Sequence, residues 1–182
     1  LVDLPRNVIM GRAEYRGHPQ ELSIRGYKPT TQGHTGQIKR AVELLKTASR
    51  PLIYGGGGII HADAYEELRE FVGMTQIPVA LTLMGLGAFD TSHPRWLGMM
   101  GMHGTYWSNM AMIHCDLMIA IGSRFDDRVT GKLSEFGKQC KIIHIDIDPT
   151  SIRKTVHVDV PIVGDVRQVL VELNKEVRQV KR

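Results

Sequence analysis

The chain has 182 residues, with 23 Lys and Arg against 19 Asp and Glu and a formal net charge of +4. At 42% hydrophobic and 23% charged it is neither disordered nor fibrous, and its length fits one domain with a terminal extension. Residues 175–182 hold Lys175, Arg178, Lys181 and Arg182 against Glu176, so +3 of the +4 sits at one end and no basic stripe marks a nucleic-acid partner.

Residues 1–34, with prolines at 5, 19 and 29 and glycines at 11, 17, 26 and 33, read as a linker or wrapping segment. From Thr35, taken as a cap, Ile38, Ala41, Val42, Leu45 and Ala48 recur at helical spacing. A short strand, Pro51 to Tyr54, runs into Gly55-Gly56-Gly57-Gly58. A helix follows, with an Asp63-x-x-Glu66 capping box and an apolar face of Tyr65, Leu68, Phe71 and Val72. Val79 to Leu83 reads as a strand, and a loop rich in Gly and Met over 84–104 leads to a helix starting near Thr105. Leu117 to Ile121 is a continuous apolar strand, followed by a charged loop and a helix expected over 130–138. Ile142 to Ile147 and Pro161 to Val163 are two more strands, and Val166, Val169, Leu170, Leu173 and Val177 share one face of the last helix. Near-continuous apolar strands alternating with helices predict an α/β fold with a parallel sheet covered on both faces.

No apolar run reaches the roughly 18–20 residues of a membrane span, so no membrane association is expected. The opening Leu-Val-Asp-Leu-Pro lacks the features of a signal peptide and an initiator Met, and the chain reads as a mature product or an excised domain. Cys115 and Cys140 stand outside any CxxC or Cys/His ligand spacing and read as two reduced, mostly buried thiols of a cytosolic protein. The eight His are scattered without an HxxxH pair, so no metal site is expected.

In an open parallel sheet the ligand sits beyond the carboxyl ends of the strands. Those ends carry Gly55 to Gly58, Thr82 to Gly85, Gly122-Ser123-Arg124, Asp146 and Gly164-Asp165. Glycines let backbone N–H groups approach a phosphate, Arg124 and Arg128 suit phosphate oxygens, and Asp146 suits ribose hydroxyls. Together they describe a nucleotide site of dinucleotide type. Other readings stand beside this one. Four glycines also make a tight turn, Asp146 and Asp165 are also helix caps, and residues 124–128 also make a solvated loop with internal ion pairs. The run does not satisfy G-x-G-x-x-G, and no acid closes the next strand, so the NAD fingerprint fails. Met99 to Gly104 forms a second candidate, where flanking glycines ahead of a helix imply close approach of backbone to ligand, although methionines also fill cores. No nucleophile elbow, P-loop or Cys/His arrangement is present, and the sequence argues for binding without self-sufficient catalysis.

Four strings carry a specific resemblance: Thr82 to Ala88 (TLMGLGA), Leu97 to Thr105 (LGMMGMHGT), Gly122 to Lys132 (GSRFDDRVTGK) and His144 to Asp148 (HIDID). They resemble the central domain of acetohydroxyacid (acetolactate) synthase catalytic subunits, thiamine-diphosphate-dependent enzymes. The resemblance covers nearly the whole chain, and GSRFDDRVTGK is its most specific part. It implies a three-layer αβα domain around a six-stranded, parallel, Rossmann-like sheet over 35–182, with 1–34 as linker and tail of a preceding pyrimidine-binding domain. It also implies a diphosphate-binding domain in the same chain, a homo-oligomer and a small regulatory subunit.

The activity implied is decarboxylating condensation of pyruvate with a second 2-oxoacid, pyruvate or 2-oxobutyrate, for branched-chain amino-acid synthesis. The cytoplasm is the implied location. Thiamine diphosphate and Mg2+ would be held outside this domain, which binds FAD without a redox part in the main reaction and is inactive alone. By matching motif, Arg25 reaches the FAD from the linker, and Gly56 and Gly57 lie beside its phosphates. Thr82, Leu83, Met100, Gly101, Met102 and His103 follow the adenosine–flavin path. Gly122, Ser123, Arg124, Phe125, Asp126 and Arg128 form the central FAD loop. Asp146 and Ile147, with Asp165 and Val166, take the adenine–ribose end. Met102, His103, Asp127 and Arg128 would also face the substrate channel, with Arg128 orienting the second 2-oxoacid by its carboxylate. Alternatives are a stand-alone nucleotide- or NAD-binding module and a ligand-free structural domain of another thiamine-diphosphate enzyme.

Overall fold

A computed structural model describes residues 3–15, 17–18 and 25–180. Among the described residues of the opening segment there is one helical turn, α1 (Arg6–Ile9), which buries none of its residues. Its end touches the body of the domain, where the Asp165 N–H donates to the Thr31 carbonyl at 2.7 Å.

Next, α2 (Thr35–Thr47) buries Ile38, Ala41 and Val42, the expected face. His34, not Thr35, occupies its N-cap, and no side chain caps it. The strand β1 (Pro51–Gly55) ends one residue later than expected, and a one-turn helix α3 (Gly57–His61) follows that the sequence reading missed. The helix α4 (Tyr65–Thr75) buries Leu68, Phe71 and Val72. The expected capping box is absent: Ala64 holds the N-cap, and Asp63 takes φ 50° in the tight turn between α3 and α4, a conformation Asp tolerates.

Two strands follow, β2 (Val79–Leu81) and β3 (Trp96–Met99), the second inside the stretch expected to be loop. Then come α5 (Tyr106–His114), β4 (Leu117–Ile121), α6 (Asp127–Thr130), β5 (Lys141–Asp146), β6 (Val160–Val163) and α7 (Val166–Val180). The helix expected over 130–138 does not form. Only the turn of α6 is helical, because Gly131 leaves the helix at φ 54°.

All six strands are parallel, in the order β3-β2-β1-β4-β5-β6, the sheet the resemblance implies. Alternate residues of β1 divide between two layers. Ile53 joins Leu68, Phe71, Val169 and Leu170 under α2, α4 and α7, while Leu52 and Tyr54 join Cys115, Phe125 and Ile142 on the side of α5. Each large apolar side chain buried this way contributes about 1.5–3 kcal/mol.

Candidate functional site

The strand order reverses between β1 and β4, so their outgoing connections diverge and open a crevice beyond their carboxyl ends. A cleft of about 730 Å³ occupies that place. Its size falls within the roughly 300–1,000 Å³ of small-molecule sites. Its walls are Gly57 and Gly58 after β1, Thr82 to Met84 after β2, and Gly122 to Arg124, Asp126 and Arg128 after β4. Asp146 at the end of β5 and Ile147 beyond it, with Asp165 and Val166 after β6, line it as well. A cleft of about 680 Å³ at the opposite end of the sheet, lined by Pro51, Leu52, Ile77 and Pro78, carries none of these strand-end groups.

Two backbones meet at the floor. The Gly56 N–H donates to the Ile121 carbonyl and the Gly58 N–H to the Gly122 carbonyl, each at 2.9 Å. A Cβ on Gly56 would lie 2.6 Å from Ser123 Cα, so only glycine permits this approach. Gly55 belongs to the strand. The cleft therefore takes Gly57 and Gly58, with Gly56 beneath them.

The 122–130 loop is held from below. Ser123 is buried and its hydroxyl donates to the Tyr54 carbonyl at 3.2 Å. His144, buried on β5, faces the Ser123 carbonyl through Nε2 at 2.9 Å, which makes Nε2 the protonated nitrogen. Burial pushes the His144 pKa down, against the smaller opposing effects of that hydrogen bond and of Asp146. Phe125 packs on His144, Tyr54 and Phe136, so its ring anchors the loop rather than lining the cleft. Asp126 caps α6 by accepting the Arg128 N–H at 3.2 Å. A hydrogen bond with the Asp127 carboxyl and that N–H hold the Asp126 carboxyl below its ordinary range. Arg124 and Arg128 remain exposed, and Arg128 has only a 4.0 Å contact with Asp127, which leaves it available to an anion.

Residues 100–104 are brought against this loop by the start of α5. The Asn109 side chain accepts from the Gly101 N–H at 2.9 Å and donates to the Gly101 carbonyl at 3.0 Å. Thr105 caps α5 and donates to the Leu97 carbonyl at 2.6 Å, and buried Ser108 donates to the Met99 carbonyl. The Met102 N–H then donates to the Arg128 carbonyl at 2.9 Å. Gly101 sits at φ 114°, and a Cβ there would lie 2.9 Å from that same carbonyl, so the junction needs glycine. Met100 is buried beneath it and Met102 and His103 are exposed, and none of the expected contacts Met100, Gly101, Met102 and His103 lines the cleft.

At the other end, Asp146 accepts the Asp148 N–H at 2.8 Å and Asp165 accepts the Gln168 N–H at 3.1 Å. Asp165 thus caps α7, whereas Asp146 braces a turn. Arg25 lies in an exposed turn and does not line the cleft, and neither does the exposed Asp127. Gly58 and Met84, named among the strand-end residues, do line the walls, whereas sequence reasoning missed Tyr54, His61, Ala62 and Val129 there. His61 and Ala62 come to the wall through the one-turn helix that begins inside the glycine run. Tyr54 is the informative omission: it is fully buried, and its hydroxyl has no partner among the described residues. Burial, with the Asp126 charge adding to it, raises the Tyr54 pKa and keeps the phenol protonated.

Residues 38–173 match the model of the thiamine pyrophosphate enzyme central domain. The chain belongs to that family. This central domain is 48% identical over 183 residues to the acetolactate synthase large subunit of Buchnera aphidicola subsp. Schizaphis graminum, covering all of the chain and 32% of that protein. It is 49% identical over 175 residues to acetolactate synthase isozyme 3 large subunit of Escherichia coli, covering 95% of the chain and 30% of that protein. It is 50% identical over 173 residues to an acetolactate synthase of Mycobacterium bovis, covering 95% of the chain and 28% of that protein. The chain thus spans about a third of the length of the relatives it matches. Among the described residues of this central domain no helix is long and apolar enough to cross a membrane, and no group of three metal-ligating side chains comes together.

Proposed function

We propose that this chain is the FAD-binding central domain of an acetolactate synthase large subunit. The observation that carries the proposal is the cleft at the β1–β4 reversal. It joins a glycine turn and two exposed guanidinium groups at one end to two braced carboxylates, Asp146 and Asp165, at the other. Cations suit a diphosphate and carboxylates suit ribose hydroxyls, so the two ends fit a dinucleotide. The buried, unpartnered Tyr54 hydroxyl on the wall adds a polar group that a ligand would satisfy. The missing acid after β2 departs from the NAD fingerprint.

Gly57, Gly58, Arg124 and Arg128 would hold the diphosphate. Asp146 and Asp165 would take the ribose end, with Ile147 and Val166 as apolar neighbours. Thr82, Leu83 and the exposed Met102 and His103 would flank the remainder. FAD here supplies shape and an apolar surface rather than redox chemistry in the condensation. The exposed Arg128 and Asp127 would face the substrate channel, Arg128 pairing with the carboxylate of the second 2-oxoacid. Residues 1–34, Arg25 included, would lead in from a pyrimidine-binding domain, and a diphosphate-binding domain would complete the subunit with thiamine diphosphate and Mg2+. The complete enzyme would act in the cytoplasm as an oligomer with a regulatory subunit.

Flavin-fluorescence titration tests this reading. FAD should bind saturably to the chain, and Gly57→Ala should weaken binding by about tenfold or more, roughly 1.4 kcal/mol. Pyruvate supplied to the FAD-loaded chain should yield no acetolactate. Equal affinity in the variant, or acetolactate from the chain alone, overturns it.

A further inference from the structure

Cys115 and Cys140 are separated by 25 positions, yet their sulfur atoms lie 3.3 Å apart. Both are free thiols, Cys115 buried and Cys140 half-buried. Cys115 follows α5 and enters β4, and Cys140 precedes β5. Adjacent parallel strands place these two starting points side by side, since Leu117 pairs with Lys141 in the sheet. The closeness is therefore a property of the sheet register, and a disulfide, with its S–S bond of about 2.05 Å, needs a sulfur displacement of little more than 1 Å.

The pair is reachable. Cys115 and Cys140 both line a cleft of about 390 Å³ that opens between α5 and the 132–140 turns, with Lys132 and Lys138 on its walls. The hydrogen bond between them can run in either direction, so either thiol can hold the shared proton while the other ionises.

We propose that Cys115 and Cys140 are a redox-modification site that closes to an intramolecular disulfide in the presence of a peroxide. One sulfur of the pair, as thiolate, attacks one peroxide oxygen, the O–O bond breaks, and that sulfur becomes a sulfenic acid while the departing hydroxide or alkoxide takes up the proton the thiol lost. The second sulfur then attacks the first, the S–O bond breaks, and the second thiol's proton leaves with hydroxide as water. Two thiols are oxidised by two electrons and the peroxide is reduced. The bond closes a loop that contains all of β4 and residues 122–131, so it tethers both ends of the segment carrying Arg124 and Arg128. The site stands on sulfur geometry and does not depend on FAD binding.

The test is exposure of the full chain to hydrogen peroxide, followed by thiol titration and peptide mapping under non-reducing conditions. Two thiols should be lost together, with one cross-linked peptide pair joining Cys115 to Cys140 and recovery of both thiols on reduction with dithiothreitol. In Cys140→Ser and in Cys115→Ser no cross-link should form, and dimedone should trap a sulfenic acid on the remaining cysteine of at least one of the two. Disulfides between chains, independent over-oxidation of each cysteine, or thiols that persist in both variants and the unaltered chain overturn the proposal.

Discussion

At the scale of single residues, the site rests on a backbone approach that one methyl group destroys. Gly56→Ala drives its Cβ into the Gly122 carbonyl and Ser123, both backbone-fixed. Overpacking of this kind costs about 1–3 kcal/mol, visible as a lower urea midpoint. A Cβ on Gly57 meets nothing nearer than the Met84 carbonyl at 3.2 Å, so Gly57→Ala should keep stability within about 1 kcal/mol while weakening the ligand. A matched loss of stability in both variants contradicts this division between floor and wall.

His144 adds a pH signature at the same scale. Its folded pKa lies below the ordinary 6.5, so below that pH the unfolded chain binds the proton more readily than the folded one. The neutral ring's contribution is complete above about pH 6.5 and is lost as pH falls toward the folded value. Unfolding free energies measured between about pH 5 and pH 7.5 should fall with acid more steeply in the unaltered chain than in His144→Gln. Parallel profiles would show that His144 does not support the Ser123 carbonyl as a buried neutral ring. In a complete enzyme, Arg128→Ala should raise KM for the second 2-oxoacid by about 10-fold or more, the loss expected for a charge-assisted bond to a carboxylate. An unchanged KM removes Arg128 from substrate binding.

At the scale of elements, the strongest periodicity gives the firmest packing. Leu173 on α7 is buried in the main core beside Leu170 and Val177, whereas Lys175 on the same helix is exposed. Leu173→Ala should cost about 2–5 kcal/mol and Lys175→Ala less than about 0.5, read from thermal or urea unfolding. Comparable losses would contradict the assigned face. The helices α2, α4 and α7 were legible because their apolar residues recur at helical spacing, β1 and β4 because their apolar runs are continuous, and β5 because Ile142, Ile143 and Ile145 are interrupted only by His144. By contrast, β3 carries Gly98 at φ 103° within four residues and has no such run. It is a strand because β2 offers it an edge. The missing helix after α6 shows the converse: residues 132–138 contain Leu133 and Phe136 at helical spacing, but the turn at Gly131 takes the chain out of register.

At the scale of the whole molecule, the site is a consequence of topology. Local reading located the glycines, Arg124, Arg128, Asp146 and Asp165, each at the end of a recognisable strand. Their convergence beyond the strand ends follows from a parallel sheet and was expected; what local reading did not supply was the strand order, which makes β1 and β4 neighbours at the reversal. Nor did it supply the joint between residues 100–104 and 124–130, made through Asn109 and the Arg128 carbonyl, because those partners lie far apart in the chain. The same long-range pairing of strand starts brings Cys115 to Cys140, two residues that look unrelated in sequence. The central claim, that this cleft is a flavin dinucleotide site, is tested most directly by calorimetric titration of the chain with FAD, NAD and ADP. The account predicts one saturable FAD site, ADP binding more weakly at the same place, and NAD weaker than FAD. Preferential NAD binding, or no heat with FAD and none with ADP, would contradict it.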